Sequence, residues 1–217
     1  MLSRSNPIIA REGWWLVITL GIGVSVALWL NHQALAAAVG PLFLLSSYLF
    51  RDPKRKTPPR PLGVVAPVDG RVIAIENEVD DPQLQRKAKR IRVRMNLSGC
   101  FSIFCPIEGK ISHLGAAPGE RVGVNSAFII STDEQDDVGV TLIGGDRLTP
   151  RLYAQQGERV GHGQRCGFFL FGRDVDIFLP QACRIEVEVG TRVRAAQSIV
   201  ATLVRSAPVT GLADVPV

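Results

Sequence analysis

Histidine is scarce, cysteine is unpaired, and charge is missing from two long stretches near the N-terminus. The 217 residues hold three histidines and four cysteines. Cys100, Cys105, Cys166 and Cys183 form no C-x-x-C pair, and Cys100 and Cys105 have no further histidine or cysteine at zinc-like spacing. Neither a zinc centre nor a dithiol motif is therefore expected. The chain also lacks the cysteine density of a small secreted scaffold, which leaves reduced, partly buried thiols in a cytosolic domain. Aromatic residues make up only 6% of the chain. No basic patch is interleaved with them, as stacking on single-stranded nucleic acid requires, so nucleic acid is not an expected partner.

The charge-free stretches are residues 14–30, WWLVITLGIGVSVALWL, and 34–50, ALAAAVGPLFLLSSYLF. Only Asn31, His32 and Gln33 separate them. A helix of that length spans about 26 Å, at the short end for a bilayer core of about 30 Å. Trp14, Trp15, Trp29 and Tyr48 stand near the segment ends, where interfacial aromatics are expected. Arg4 and Arg11 precede the pair, Arg51, Lys54, Arg55, Lys56 and Arg60 follow it, and the connector has neither Lys nor Arg. The positive-inside rule then puts both ends in the cytoplasm. Either both helices cross, or the pair dips into one leaflet and returns; Gly40-Pro41 favours the dip by kinking the second helix. No small-residue cleavage pattern follows the first segment, which argues against a signal peptide. The net charge is +5. A basic run beside an apolar segment reads anionic headgroups, which makes Lys54, Arg55 and Lys56 candidate lipid-binding residues and membrane phospholipid the expected partner.

Beyond the proline-rich stretch Pro58-Pro59-Arg60-Pro61, a stiff linker, the pattern changes to short β-branched alternation. Strands are expected at 64–65, 71–75, 90–95, 127–130, 138–143, 175–179 and 184–189. The polar stretch 80–90 reads as a loop, and no long helical stretch follows residue 51. The expected organisation is a basic segment (1–13), a membrane hairpin (14–50), a basic linker (51–62), a β-rich domain (63–205) and a tail (206–217). Internal echoes occur. Pro67-Val-Asp-Gly-Arg-Val72 matches Pro106-Ile-Glu-Gly-Lys-Ile111, and Gly-x-Arg-Val recurs at 119–122, 157–160 and 190–193, the last two running on to Gln164 and Gln197. Such turns occur where a compact barrel folds back on itself, although hairpin connectors alone would explain the glycines. They resemble half-motifs of biotinyl and lipoyl carriers, but no lysine stands at a hairpin tip. The fold class is mainly β: a barrel-sandwich-like domain behind an N-terminal helical hairpin.

The order of features resembles a known family. Two hydrophobic segments run into Phe50-Arg51-Asp52-Pro53. Val64-Val-Ala-Pro-Val-Asp-Gly-Arg-Val72 follows, then Gly157-Glu-Arg-Val-Gly-His-Gly-Gln-Arg-Cys-Gly167, Phe171-Gly-Arg-Asp-Val-Asp-Ile-Phe-Leu-Pro180 and Val187-Glu-Val-Gly-Thr-Arg-Val-Arg-Ala-Ala-Gln197. Over roughly residues 10–203 the chain is similar to the short, membrane-anchored phosphatidylserine decarboxylases. That resemblance implies a bacterial-type cytoplasmic (inner) membrane protein of phospholipid biosynthesis, its soluble domain facing the cytoplasm. It also implies a proenzyme that cleaves itself between a glycine and a serine. The serine becomes a pyruvoyl group, which serves as electron sink while phosphatidylserine loses carbon dioxide to give phosphatidylethanolamine.

Carried over residue by residue, the resemblance breaks at the reacting atoms. The family's F-G-S motif falls on Phe171-Gly172-Arg173, and arginine has no hydroxyl to attack an acyl group. The family's assisting histidine falls on Phe101 and a nearby aspartate on Gly99. Asp69 matches an aspartate used in self-cleavage, though a turn aspartate needs no more than local geometry. The acidic stretch before the next strand is reduced to Gly123-Val124-Asn125-Ser126. His113 and His162 sit in glycine-containing turns and read as exposed. The expected catalytic set is thus none intact, with Asp69, Phe101, Gly172 and Arg173 as its surviving positions, no metal and no pyruvoyl cofactor. Arg173 is a further lipid-binding candidate, since a guanidinium forks onto phosphate or carboxylate. Three functions follow: an inactive lipid-binding or regulatory relative, alone, as a homo-oligomer or with an active decarboxylase paralogue; an active phosphatidylserine decarboxylase; or a carrier-like membrane scaffold.

Overall fold

The computed structural model describes residues 9–81, 86–115, 124–145 and 149–204. A single 3-10 turn, Arg11–Gly13, leads into α1 (Trp14–Trp29), and α2 (Gln33–Leu49) returns against it. The reversal is made by Asn31 at φ 60°, a left-handed conformation that asparagine tolerates better than most residues. Helix α2 continues through Pro41. The open ends are tied together: the Ala10 N–H donates to the Phe50 carbonyl at 2.7 Å. Gly13 lies against the Phe50 ring, where a Cβ would come within 2.1 Å of Cγ, so the crossing needs glycine. The stretch Arg11–Trp29 is long and apolar enough to cross a membrane, and Gln33–Leu49 is a shorter apolar helix. Trp15 and Trp29 are more than four-fifths exposed. Apolar side chains on that scale facing outward suit a lipid environment.

Fourteen strands follow among the described residues: β1 (Gly63–Val65), β2 (Gly70–Asp81), β3 (Arg86–Met95), β4 (Ser102–Phe104), β5 (Gly109–Gly115), β6 (Val124–Ser131), β7 (Asp137–Ile143), β8 (Arg151–Leu152), β9 (Arg159–Val160), β10 (Arg165–Phe168), β11 (Asp174–Leu179), β12 (Cys183–Ile185), β13 (Arg192–Val193) and β14 (Ile199–Leu203). They form a large curled sheet ordered β13-β2-β3-β11-β7-β6-β5-β9 and two small sheets, β1-β14-β12 and β4-β10-β8. The mainly β architecture behind a helical hairpin agrees with the sequence expectation.

The sequence echoes occupy equivalent places. Gly70 opens β2 beside β13, and Gly109 opens β5 beside β9. A Cβ on either glycine would strike a neighbouring strand carbonyl, Arg94 O at 2.1 Å and Ser131 O at 2.4 Å. Val72 and Gly190 exchange the same backbone bonds as Ile111 and Gly157, through Thr191 and Glu158. The Phe104 N–H donates to Pro67 O and the Val65 N–H to Pro106 O, both at 2.9 Å. The domain is therefore two similar halves clasped about a pseudo-two-fold, and the glycines are more than connectors. The copy at 119–122 lies outside the described residues, as do Arg4 and the 206–217 tail.

Two expectations are corrected. The described part of 80–90 is strand, not loop: Asp80 and Asp81 continue β2, and Arg86–Arg90 belong to β3, while 82–85 lie outside the described residues. The arm is polar because it is a two-residue alternation, with Ala88 buried and Arg90 paired to Glu76. The run 184–189 is strand only to Ile185. The core joins the inner faces of the sheets, with Phe101, Ile91, Ile103, Val140, Leu142, Phe169 and Ile177 fully buried.

Candidate functional site

Asp69 sits in the turn between β1 and β2. Its Oδ1 accepts from the Arg55 guanidinium at 2.5 Å and from the Ala195 N–H at 2.8 Å; its Oδ2 accepts from Arg55 at 2.6 Å and from the Cys100 N–H at 2.9 Å. Burial pushes the carboxyl up, but the Arg55 and backbone hydrogen bonds outweigh it and hold it below its ordinary value. A carboxylate gripped this way is a poor proton acceptor. It staples the linker, the loop before β4 and the turn after β13.

That loop, residues 96–101, joins the remaining positions. The Asn96 N–H donates to Asp69 O, and the Met95 N–H donates to Arg173 O, both at 3.0 Å. Gly99 is packed so close that a Cβ would lie 2.8 Å from the Asp69 Cβ, which leaves no space for an aspartate there. Phe101 is fully buried, edge-on to Phe171 at 5.4 Å and to Phe168 at 6.4 Å. Gly172 is wedged under Phe169 and Met95, with a Cβ 2.3 Å from the Phe169 ring. Phe171 turns the chain at φ 54°. The four positions taken from the sequence, Asp69, Phe101, Gly172 and Arg173, thus share one rim of the sheet, where β3 ends and β11 begins.

The chemistry of that rim is apolar and cationic. The Arg173 side chain is 73% exposed, with Nε 3.5 Å from Asp174. Cys100 adjoins Asp69, but burial pushes its thiol up, which keeps it protonated and unreactive. Cys105 is raised further by its hydrogen bond with the free thiol of Cys166 and by burial, and Cys183 is raised by burial. No group of three or more His, Cys, Asp or Glu that could hold a metal occurs among the described residues.

Several sequence assignments change here. Arg55, a candidate headgroup contact, is turned inward, its side chain 9% exposed and held by Asp69. Lys54 and Lys56 are exposed. The linker does not stand off as a spacer but packs along the barrel, with Thr57 against Gly163 and Arg60 on Glu186. The histidines are not simply exposed. His113 lies on β5, and both His113 and His162 bury an Nε2 without a hydrogen-bond partner. Burial lowers the His162 pKa, partly opposed by Glu108.

Sequence reasoning missed the buried charges that seat the hairpin. Arg165 is 9% exposed; its Nε lies 3.1 Å from Asp52 Oδ2 and its Nη2 lies 3.3 Å from Glu12 Oε2, so it clamps both ends of the hairpin to β10. The Arg51 guanidinium and the Tyr48 hydroxyl donate to Ser98 O, at 2.7 and 3.2 Å, which docks the base of α2 on the 96–101 loop. The Arg51-Asp52-Pro53 run was the available signal, since adjacent opposite charges after an apolar helix call for partners.

The profile of phosphatidylserine decarboxylase matches residues 42–201. The chain belongs to that family. Similar relatives include the phosphatidylserine decarboxylase proenzymes of Burkholderia cenocepacia (strain HI2424), 33% identical over 216 residues, and of Burkholderia lata, 34% identical over 218 residues. Each alignment covers 93% of this chain and 99% of the relative. Glucose permease IIA from Mycoplasma capricolum superposes with a TM-score of 0.42 at 18% identity, covering 64% of this chain and 94% of its own, too loose a likeness to bear on the fold. The family's decarboxylases depend on a pyruvoyl group made from their own serine. The residues at this rim do not fit it: position 173 offers a guanidinium, and the neighbours that could assist are Phe101 and an already occupied Asp69.

Proposed function

We propose that this chain is a phosphatidylserine decarboxylase relative that neither cuts itself nor decarboxylates, and that it acts as a lipid-binding or regulatory pseudoenzyme in phospholipid metabolism. Arg173 carries the reading, because it follows Phe171-Gly172 where the family's reacting serine stands. Phe101 and the saturated Asp69 support it. The hairpin holds the barrel against the cytoplasmic face of the inner membrane, beside phospholipid, and any enzymatic partner would be an active paralogue or a second copy.

Similarity along nearly the whole chain to proteins named as proenzymes favours a second reading, an active decarboxylase converting phosphatidylserine to phosphatidylethanolamine. Purified full-length protein incubated with phosphatidylserine vesicles separates the two. The first reading expects no carbon dioxide above a protein-free control; clear turnover by this chain alone would replace it with the second.

A further inference from the structure

The outer face of the large sheet carries an unbalanced line of arginines. Arg192 on β13 pairs in register with Arg71 on β2, Arg71 with Arg94 on β3, and Arg94 with Asp174 on β11. Directly opposed residues share a face, and like charges directly opposed are unfavourable. All three arginines are exposed, and Arg173 stands at the end of the line. The only acid in register is Asp174, shared between Arg94 at 3.0 Å and Arg173 at 3.5 Å. Among the described residues Arg71 and Arg192 make no ion pair, and neither does Glu188, four residues before Arg192.

The neighbouring row is balanced, which makes this line stand out. One row further along the strands, Arg92 forks onto Asp176 with two contacts of 2.6 Å. The pseudo-two-fold supplies a closer comparison. The equivalent line at the other end of the sheet is Arg159, Lys110, Ser131 and Asp137. There Arg159 is matched by Asp133 and Glu108, and Ser131 bonds to Asp137. Lys110, like Arg71, makes no ion pair among the described residues, but Arg159 is neutralised there whereas its counterpart Arg192 is not.

The cationic end is tied to the base of the hairpin. Arg94 precedes Met95, and the loop that follows accepts the Arg51 and Tyr48 hydrogen bonds at Ser98. Leu97 in that loop and Phe171 beside Arg173 are 64% and 42% exposed, an apolar edge to the basic line. We propose that Arg192, Arg71, Arg94 and Arg173 form a docking face for the anionic phospholipid surface of the membrane that holds the hairpin. The barrel lies against the headgroups on this face, with Leu97 and Phe171 at the interface. The inference rests on the membrane placement proposed above and not on the absence of decarboxylation; an active chain could dock in the same way.

The test is hydrogen–deuterium exchange on the full chain in nanodiscs of phosphatidylcholine, with or without phosphatidylglycerol. Phosphatidylglycerol is expected to slow exchange in peptides covering the start of β2, the end of β3 with its loop, and β13. The protection is expected to be lost at raised salt, because headgroup attraction is screened. It is also expected to be lost in the triple variant Arg71→Gln/Arg94→Gln/Arg192→Gln, and kept in Lys110→Gln/Arg159→Gln at the other end of the sheet. Equal exchange in the two nanodiscs, or protection that survives in the triple variant, would overturn the docking face. So would equal protection by soluble glycerophosphate, which would mean a small-anion site.

Discussion

Arg173 is one residue, but its consequences depend on its neighbours. Restoring a hydroxyl at this position supplies a nucleophile and nothing to take its proton. Phe101 has no titratable group, and the Asp69 oxygens already accept four hydrogen bonds. Arg173→Ser is therefore expected to remain a single chain on a denaturing gel; cleavage would reveal a base not identified in this site. A second residue-scale expectation concerns His162. Its folded pKa lies below the ordinary histidine value, so the unfolded chain takes up a proton more readily. Stability should therefore be unaffected by this group above an ordinary histidine pKa of about 6.5, and fall as pH drops below it. His162→Gln should flatten that part of the thermal-stability profile, and an unchanged profile would show that the burial is not felt. Neither the inward turn of Arg55 nor the buried Nε2 atoms could be read from sequence, because a basic run and a glycine-rich turn say nothing of what packs over them.

Among the elements, the two clasps and the hairpin seat carry the fold. Gly70 and Gly109 each press a strand opening against a carbonyl of the next strand, so alanine at either forces the backbone apart. Overpacking of this kind typically costs about 1–3 kcal/mol, and Gly70→Ala and Gly109→Ala should lower the melting temperature in detergent by similar amounts. A loss at only one would mean that the halves are not mechanically equivalent. The seat is less forgiving. Asp52→Ala leaves Arg165 buried with Glu12 at 3.3 Å as its remaining acid. Removing one partner of a buried pair costs about 3–5 kcal/mol, and the loss should show as a large fall in melting temperature, with earlier proteolysis between hairpin and barrel. The strand alternation and the echoed Pro-x-acid-Gly turns were legible because their period and chemistry are local. The β2–β3 arm was not, because its polar side chains are satisfied across strands, and the arginine line appears only once register is known.

As a whole molecule, the chain joins an apolar hairpin to a barrel through buried ion pairs, and places the rim that carries Asp69, Phe101, Gly172 and Arg173 beside the hairpin base. Family, hairpin and β architecture were all legible in the ordered motifs. The assembly of Asp69, Phe101, Gly172 and Arg173 on one rim needed the sheet topology. The central claim is that the frame of a self-cleaving decarboxylase is kept without its cleavage. Mass spectrometry of the full-length protein purified from membranes tests it most directly. A single intact species of 23.6 kDa is expected. A C-terminal fragment beginning at position 173, with its partner ending at Gly172, would contradict it.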